Sequence, residues 1–337
     1  IDPSAGSGTF LIEYMKFITE NMKYRNRNAL GYNNELGTSR AVKDKVTSDW
    51  FFPDHRENKW AQTYIYGSEI NFNLGTATKV NMILHGDGST NIFAKDGLLP
   101  FAKYEKETAP NALNGSVKDT LYQEREVNGQ FDLILTNPPF SVELDNDTKK
   151  TIKHDFMFGE KKNSENLFIE RWYQLLRENG RVAAVLPESV FDTTENKYIR
   201  LFLYKYFKIK AVVSLPQLAF EPYTSTKTSI LFAQKKTKEE IAAWNEAWDT
   251  ASKDYSQLRT RVDNLISVYD GKKLKAKLPS IKKLTPDEEV ALLRKMLKHY
   301  ISDADDCLDT NGLISRYREE LELLCKPDKD TKETFGY

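Results

Sequence analysis

Cysteine is nearly absent from this sequence. Only Cys307 and Cys325 occur, both near the C-terminal end. That excludes a disulfide scaffold and a cysteine zinc cluster, and it fits a reducing cytoplasm. Histidine is almost as scarce. His55, His85, His154 and His299 are scattered and share no ligand spacing, so no metal is expected. No apolar run approaches the ~18 residues of a membrane span. The start lacks the basic and apolar regions of a secretory signal. Net charge is missing too: 49 Lys+Arg against 49 Asp+Glu leave +0. A chain that held nucleic acid by itself would carry a basic balance.

What is present suits a globular chain. It has 337 residues, 40% hydrophobic and 29% charged, enough for about two domains. Apolar runs alternate between strand and helix texture. A helix is expected after Phe10, with Leu11, Tyr14, Met15, Phe17 and Ile18 on its apolar positions. Residues 20–63 read as a polar insertion. A short strand covers Thr63–Ile70, and a helix covers 72–85 with Val80, Ile83 and Leu84. A brief strand at Asn91–Phe93 leads to Asp96, and 100–128 read as a second polar insertion. Phe131–Thr136 is a buried type of strand. A flexible polar stretch, 141–163, separates it from a helix at Asn166–Arg177, with Gly180 as the residue ending it. Strands at Arg181–Pro187, Ile209–Leu215 and Thr228–Ala233 and a helix at Tyr198–Tyr206 complete an α/β, doubly wound pattern over 1–235.

The texture then changes, and 236–337 read as a helical region. Ile241, Trp244, Trp248, Tyr255, Leu258 and Val262 follow a 3-4 spacing and predict a long helix with a heptad seam. Residues 271–283 read as a lysine-rich linker. Pro286 opens another helix with acids in its first turn. A last helix is expected over about 312–325.

Two short segments carry chemistry. Asp2-Pro3-Ser4-Ala5-Gly6-Ser7-Gly8-Thr9-Phe10 runs from a strand end through a glycine turn into a helix. Gly6 and Gly8 let the backbone approach a ligand, and a helix N-terminus favours its polar groups. Only Ile1 stands for the strand before this turn, so an N-terminal part is expected to be missing. The second segment is Asn137-Pro138-Pro139-Phe140, at the end of a buried strand. The prolines stiffen the turn and leave their carbonyls as acceptors, and Asn137 adds a side-chain carbonyl. Fixed acceptors suit the two N–H groups of an exocyclic amine, and Phe140 offers a face for a base. A plain strand-ending turn is the competing reading of this segment alone.

The two segments together resemble the S-adenosylmethionine motif and the catalytic motif of amino-methylating DNA methyltransferases. The modification (M) subunits of type I restriction-modification systems are the nearest resemblance. Tyr66–Asn71, Asn81–Gly86, Gly180–Pro187, Leu215–Phe220, Pro222–Thr224 and Lys227–Phe232 follow in family order. The resemblance implies an S-adenosylmethionine-dependent methyltransferase fold and methyl transfer to adenine N6 in DNA. It implies that Asp2, Ala5, Gly6 and Gly8 line the methionine part of S-adenosyl-L-methionine. Glu69 would take the ribose hydroxyls. Asp96 would take the cofactor's adenine amine, favoured over Asp87 because it follows apolar Ile92-Phe93. Asn137 and Pro138 would hold the target amine. Phe140 would stack on an adenine turned out of the duplex, with Phe220 or Tyr223 on the other face, although core or loop packing accounts for those two equally.

The chain departs from the pattern in two places. Glu69 lies far beyond the ~20 residues usual between glycines and acid. The family's N-terminal helical domain would precede Ile1, so the fragment alone is expected to be impaired. The C-terminal helices do not look like a reader of base edges. The resemblance implies double-stranded DNA as substrate and a specificity (S) subunit as partner, with a second M subunit and a restriction (R) subunit as further ones. The Trp244–Trp248–Tyr255 seam is either a docking face for such a partner or an internal packing seam. Lys272, Lys273, Lys275, Lys277, Lys282 and Lys283 read as a solvated linker before a phosphate contact. Two other readings share parts of the pattern: a scaffold that binds DNA without catalysis, and a protein-glutamine or RNA amine methyltransferase.

Overall fold

The computed structural model describes residues 1–20, 58–86, 91–104, 111–140, 142, 144, 146–160, 163–222, 224–271 and 284–325. Most of the expected insertion at 20–63, the lysine-rich linker, Asp87 and Tyr223 lie outside the described residues. The chain divides into two compact units, Ile1–Ile241 and Ala242–Tyr337.

The first unit is built on both parallel and antiparallel strand pairs. Helix α1 (Thr9–Glu20) follows the glycine turn. A short helix α2 (Ala61–Tyr64) leads into strand β1 (Gly67–Ser68), helix α3 (Phe72–Leu84) and strand β2 (Ile92–Phe93). β1 and β2 run parallel. Asp2 bridges Gly67 in parallel, and Leu135 donates its N–H to the Ile1 carbonyl, so residues 1–2 lie between β1 and strand β5 (Phe131–Thr136). Before β5, strands β3 (Val117–Asp119) and β4 (Arg125–Val127) form an antiparallel pair. After it come helix α4 (Asn146–Ile152), helix α5 (Ser164–Leu175) and strand β6 (Leu176–Pro187). Helices α6 (Ser189–Asp192) and α7 (Lys197–Tyr206) precede strands β7 (Phe207–Ser214) and β8 (Thr228–Lys235).

β5 and β6 are parallel, while β8 lies between β6 and β7 and is antiparallel to both. The strand sequence across the fold is therefore β2, β1, residues 1–2, β5, β6, β8, β7. From residues 1–2 the chain builds outward to β1 and β2 on one side, then to β5 and β6 on the other. That reversal makes a crevice at the carboxyl ends of residues 1–2 and β5, the place where open α/β sheets take ligands. The fold is thus the expected doubly wound α/β type, with a mixed rather than wholly parallel sheet.

Several local expectations change. Residues 63–70 are not one strand: α2 takes up Ala61–Tyr64 and β1 is two residues long. α3 forms as expected but turns a different face inward. Gly75, Thr78 and Met82 are buried, whereas Val80, Ile83 and Leu84 are exposed. The segment 100–128 is polar in composition yet feeds the core through Phe101, Tyr104, Leu113, Tyr122 and Val127. The stretch 141–163 likewise holds α4 and buries Ile152, Phe156 and Phe158. α5 stops at Leu175, and Gly180 is not its terminator. Leu176 is already extended, and the left-handed residue is Asn179 (φ 61°). Phe131 pairs with Leu176 but Leu133 pairs with Arg181, so Asn179-Gly180 sits in a bulge inside β6.

α5 explains much of the unit's packing. All twelve of its residues are buried, although five of them are charged or amide side chains. A polar group without water must find a partner inside. Glu170 accepts from the Tyr122 hydroxyl and from the Met157 and Phe158 N–H groups. Gln174 donates to the Asp155 carbonyl at 2.8 Å. Asn166 donates to Asn196 and to the Tyr198 hydroxyl, each at 2.7 Å. The helix fastens loops on several sides by its polar groups as well as by Leu167, Ile169 and Trp172.

The second unit contains most of helix α8 (Lys238–Tyr269), with α9 (Pro286–Met296), α10 (Thr310–Arg316) and α11 (Arg318–Cys325). The single helix expected over 312–325 is two. Thr285 and Glu288 form a reciprocal capping box at the start of α9. Val262, Ile266, Leu293, Leu297, Leu313 and Leu321 form the core. Only the C-terminal half of the α8 seam reaches it. Trp244 and Trp248 instead stack on each other (centroids 4.8 Å apart, planes 14°) and stay half-buried, and Tyr255 is exposed. Among the described residues, no helix is long and apolar enough to cross a membrane.

Burial pushes Glu170 up to about 7, outweighing the donors that favour its charged form. Its folded value then lies above the ordinary carboxylate value. The stability it contributes is full at low pH and is lost as pH rises through about 7. Urea midpoints are expected to be higher at pH 6 than at pH 8, and the difference is expected to shrink in Glu170→Gln.

Candidate active site

The first loop leaves the sheet at Asp2. Its N–H donates to Tyr66 and its carbonyl accepts from Ser68, both at 3.0 Å, so the backbone is held as a strand up to this residue. The chain then turns. Ala5 donates to Ser68 at 2.8 Å, and Gly6 and Gly8 both take positive φ. The two glycines serve different purposes. A Cβ on Gly6 would meet nothing within 4 Å, so this backbone faces open space. A Cβ on Gly8 would stand 2.7 Å from Thr78 Cγ2, so Gly8 lets the loop close on α3. Thr78 also donates its hydroxyl to the Gly6 carbonyl, and Asn81 donates to Ser7 at 3.2 Å. α3 thereby clasps the loop from behind.

Glu69 follows β1 directly. Its Oε2 accepts from Gly6 N–H at 2.9 Å and its Oε1 from Asn71 N–H at 2.9 Å. Asp96 lies beyond β2, at the end adjacent to Glu69. Its Oδ1 accepts from Leu98 N–H at 2.9 Å, which closes a tight turn. The structure thus brings Asp2, Ala5, Gly6, Glu69 and Asp96 to the carboxyl ends of three neighbouring parallel segments.

The second loop leaves β5 at Thr136. Thr136 is fully buried and donates to Asp2 Oδ1 at 2.7 Å. Its oxygen lies 2.8 Å from Ser4 Oγ, and because its one proton goes to Asp2, Ser4 must donate. A chain of hydroxyls, Ser4 to Thr136 to Asp2, joins the two loops. Asn137 and Pro138 come next, Asn137 half-buried and Pro138 buried. Pro139 is exposed, and its carbonyl accepts from Ser164 Oγ at 3.2 Å. Phe140 is half-buried. Phe220 is half-buried in the turn after β7, at the same end of the sheet but beyond β6 and β8.

Two buried acceptors in this region have no hydrogen-bond partner: Asp2 Oδ2 and Asn137 Oδ1. Buried polar atoms left unpaired are costly, and unpaired atoms recur where a ligand completes them. Asp2 carries a second mark. Burial raises its carboxyl from 3.8 to about 6, although Thr136 and the Ser4 N–H pull the other way. A donor ligand that met Oδ2 would restore its ordinary acidity. The open Gly6 backbone, the unpaired Asp2 oxygen and the acceptor-rich ends of Glu69 and Asp96 together fit an elongated ligand bearing N–H and O–H donors.

Sequence reasoning missed Ser4, Thr136, Thr78 and Ser164, which set the geometry. Thr136 had a legible sign: it is the one hydroxyl in the apolar run Phe131–Thr136, immediately before Asn137. Thr78 and Ser164 had none, because their roles arise only when α3 and α5 pack behind the loops.

A doubly wound sheet with a glycine loop at its switch point and an acceptor-rich Asn-Pro-Pro-Phe turn one strand away defines a class of α/β ligand-binding site. The chain belongs to the N-6 DNA methylase family, whose sequence profile matches residues 1–305. It is 30% identical over 132 residues to the methylase subunit of the Escherichia coli type I restriction enzyme EcoEI, covering 39% of this chain and 26% of that protein. It is 21% identical over 291 residues to the MjaVII methylase subunit of Methanocaldococcus jannaschii, covering 80% of this chain and 40% of that one. The chain therefore spans only a quarter to two fifths of these relatives. Among solved structures it is similar to the type I restriction enzyme EcoKI M protein (19% identity, TM-score 0.45, 71% of this chain and 40% of that one). It is also similar to a type I methyltransferase subunit from Streptococcus thermophilus (18%, TM-score 0.39, 74% and 47%).

Thr136→Val removes the central hydroxyl and leaves Asp2 Oδ1 with the Ser4 N–H alone. Urea denaturation is expected to show a loss of about 1–3 kcal/mol, with most of it restored in Thr136→Ser.

Proposed function

We propose that this chain carries the catalytic domain of a DNA adenine N6-methyltransferase that uses S-adenosyl-L-methionine, within a type I modification subunit. The observation that carries the reading is the unpaired, buried Asn137 Oδ1 on the turn that follows Thr136. Thr136 is bonded to Asp2, so the acceptor for a target amine and the glycine loop share one rigid link.

Asp2, Ala5 and Gly6 would hold the methionine part of the cofactor, in a loop that Gly8 packs onto α3, with Glu69 on the ribose hydroxyls and Asp96 on the adenine amine. When bound, the cofactor supplies a methyl group on a sulfonium, an electrophile activated before it arrives. Asn137 Oδ1 and the Pro138 carbonyl each accept one N–H of the target amine. Holding both donors concentrates electron density on nitrogen and fixes its approach. The methylated nitrogen then loses one proton to water and regains neutrality. In a duplex this amine is base-paired, so the adenine must leave the stack. Phe140 would cover one face of the extruded base, and Phe220 or Tyr223 the other.

The balanced charge supports a division of labour. A chain with +0 net charge supplies little phosphate attraction of its own. We assign base reading to a specificity subunit, in an assembly that also takes a second modification subunit and a restriction subunit. The stacked, half-buried Trp244–Trp248 pair and exposed Tyr255 on α8 are the docking surface we favour.

Methyl transfer to duplex DNA by the full-length protein with its specificity subunit tests this reading. Asn137→Ala is expected to lower the rate at least 100-fold while cofactor affinity stays within about threefold. Full methylation by that variant would remove the assignment. A pH series tests Asp2. A donor ligand meets the carboxylate form, so cofactor affinity is expected to fall as pH drops through about 6. In Asp2→Asn, calorimetric titration is expected to give weaker binding with a flatter pH profile.

A further inference from the structure

Arg171 is a charged side chain of α5 whose partners lie in the candidate site's own loops. Its guanidinium is buried between two aromatic rings, 4.6 Å from the Phe101 centroid and 4.7 Å from the Phe156 centroid. From that slot Nη2 donates to the Leu98 carbonyl at 2.7 Å and to the Leu99 carbonyl at 2.9 Å. These carbonyls belong to the turn that Asp96 opens. Asp96 Oδ1 accepts from Leu98 N–H, and the Asp96 carbonyl accepts from Leu99 N–H and from the Tyr104 hydroxyl. Every carbonyl from Asp96 to Leu99 except that of Gly97 is thus engaged by a named donor.

Gly97 makes the second connection. A Cβ there would lie 1.9 Å from the Pro3 carbonyl oxygen, so the Asp96 turn lies directly against the Asp2–Gly8 loop. No side chain larger than hydrogen fits between them. The two loops touch through backbone, and Arg171 presses one of them from behind.

We infer that Arg171 is a positioning residue: its fork to Leu98 and Leu99 seats the Asp96 turn on Pro3 and sets the spacing between the two halves of the cofactor site. The inference rests on the cofactor reading above, in which one ligand spans from the glycine loop to Asp96. A ligand held at both ends is sensitive to that spacing, because slack in either loop must be frozen out on binding. A planar guanidinium suits the task. It fits flat between two rings and directs both Nη2 protons along fixed lines, whereas an ammonium on a lysine stem cannot stack.

The test is cofactor binding by the full-length protein, measured by calorimetric titration with S-adenosylhomocysteine alongside thermal unfolding. Arg171→Met deletes both bonds, and Gly97→Ala forces the loops apart while leaving Arg171 in place. Each is expected to weaken binding about tenfold or more, and Arg171→Lys is expected to fall between wild type and Arg171→Met. Leu203→Ala serves as the control. Leu203 is a buried core residue of α7, so its truncation lowers stability without touching either loop. Its binding is expected to stay within about twofold of wild type once folded. Equal binding by wild type, Arg171→Met and Gly97→Ala overturns the inference and leaves the cofactor reading standing. So does a loss in Leu203→Ala as large as in the other two. No binding by the unaltered full-length protein overturns the cofactor reading, and this inference with it.

Discussion

The hydrogen bond from Thr136 to Asp2 joins residues 134 positions apart, and the site is organised around it. It spans the switch point, where the chain reverses the direction in which it adds strands. On one side it fixes the exit of the glycine loop, and on the other it fixes the strand end that delivers Asn137. The bond is buried, so water does not compete for it. It also settles only one of the two Asp2 oxygens. The second oxygen and Asn137 Oδ1 remain buried acceptors without partners. A fold tolerates that expense where a ligand repays it, which is why these two atoms carry the functional reading.

Around this bond the structure uses one device repeatedly. Packed helices hold the loops from behind by polar side chains directed at backbone carbonyls. Thr78 of α3 takes the Gly6 carbonyl, Ser164 of α5 takes Pro139, and Arg171 takes Leu98 and Leu99. Loop carbonyls in a dry environment need donors, and donors rooted in buried helices have little freedom to move. α5 is central because it is enclosed on all sides. Its Glu170, Arg171 and Gln174 side chains reach the loops they fasten, which makes a polar helix the rigid backing of the crevice.

Much of the fold was legible in the sequence, because apolar periodicity reports the faces that must leave water. Phe131–Thr136, Arg181–Pro187 and Thr228–Ala233 read as strands for that reason. The reading failed where composition misled. The polar stretch 100–128 hides Phe101, Tyr104 and Tyr122, spaced too widely to register as a pattern, yet they fill the core beside α5. Asn179-Gly180 looked like a helix terminator, but the pair serves a bulge in β6. Val80, Ile83 and Leu84 gave the correct helix and the wrong face, since the glycine loop takes its place against Thr78 and Gly75 lies beside Ala94.

The sequence by itself determined the chemistry of the two candidate loops: Asp2–Phe10 and Asn137–Phe140 are contiguous, and their donors, acceptors and stiff turns follow from residue type alone. It also determined that the chain is charge-balanced and poor in cysteine. Only the tertiary structure decided that Asp2 and Asn137 flank one crevice, that Gly8 is a packing glycine while Gly6 faces open space, and that Arg171 reaches the Asp96 turn. Those outcomes depend on contacts between segments 72 to 134 residues apart. Local pattern carries no information about such contacts, because they are selected by which buried polar groups can satisfy one another once the sheet has closed.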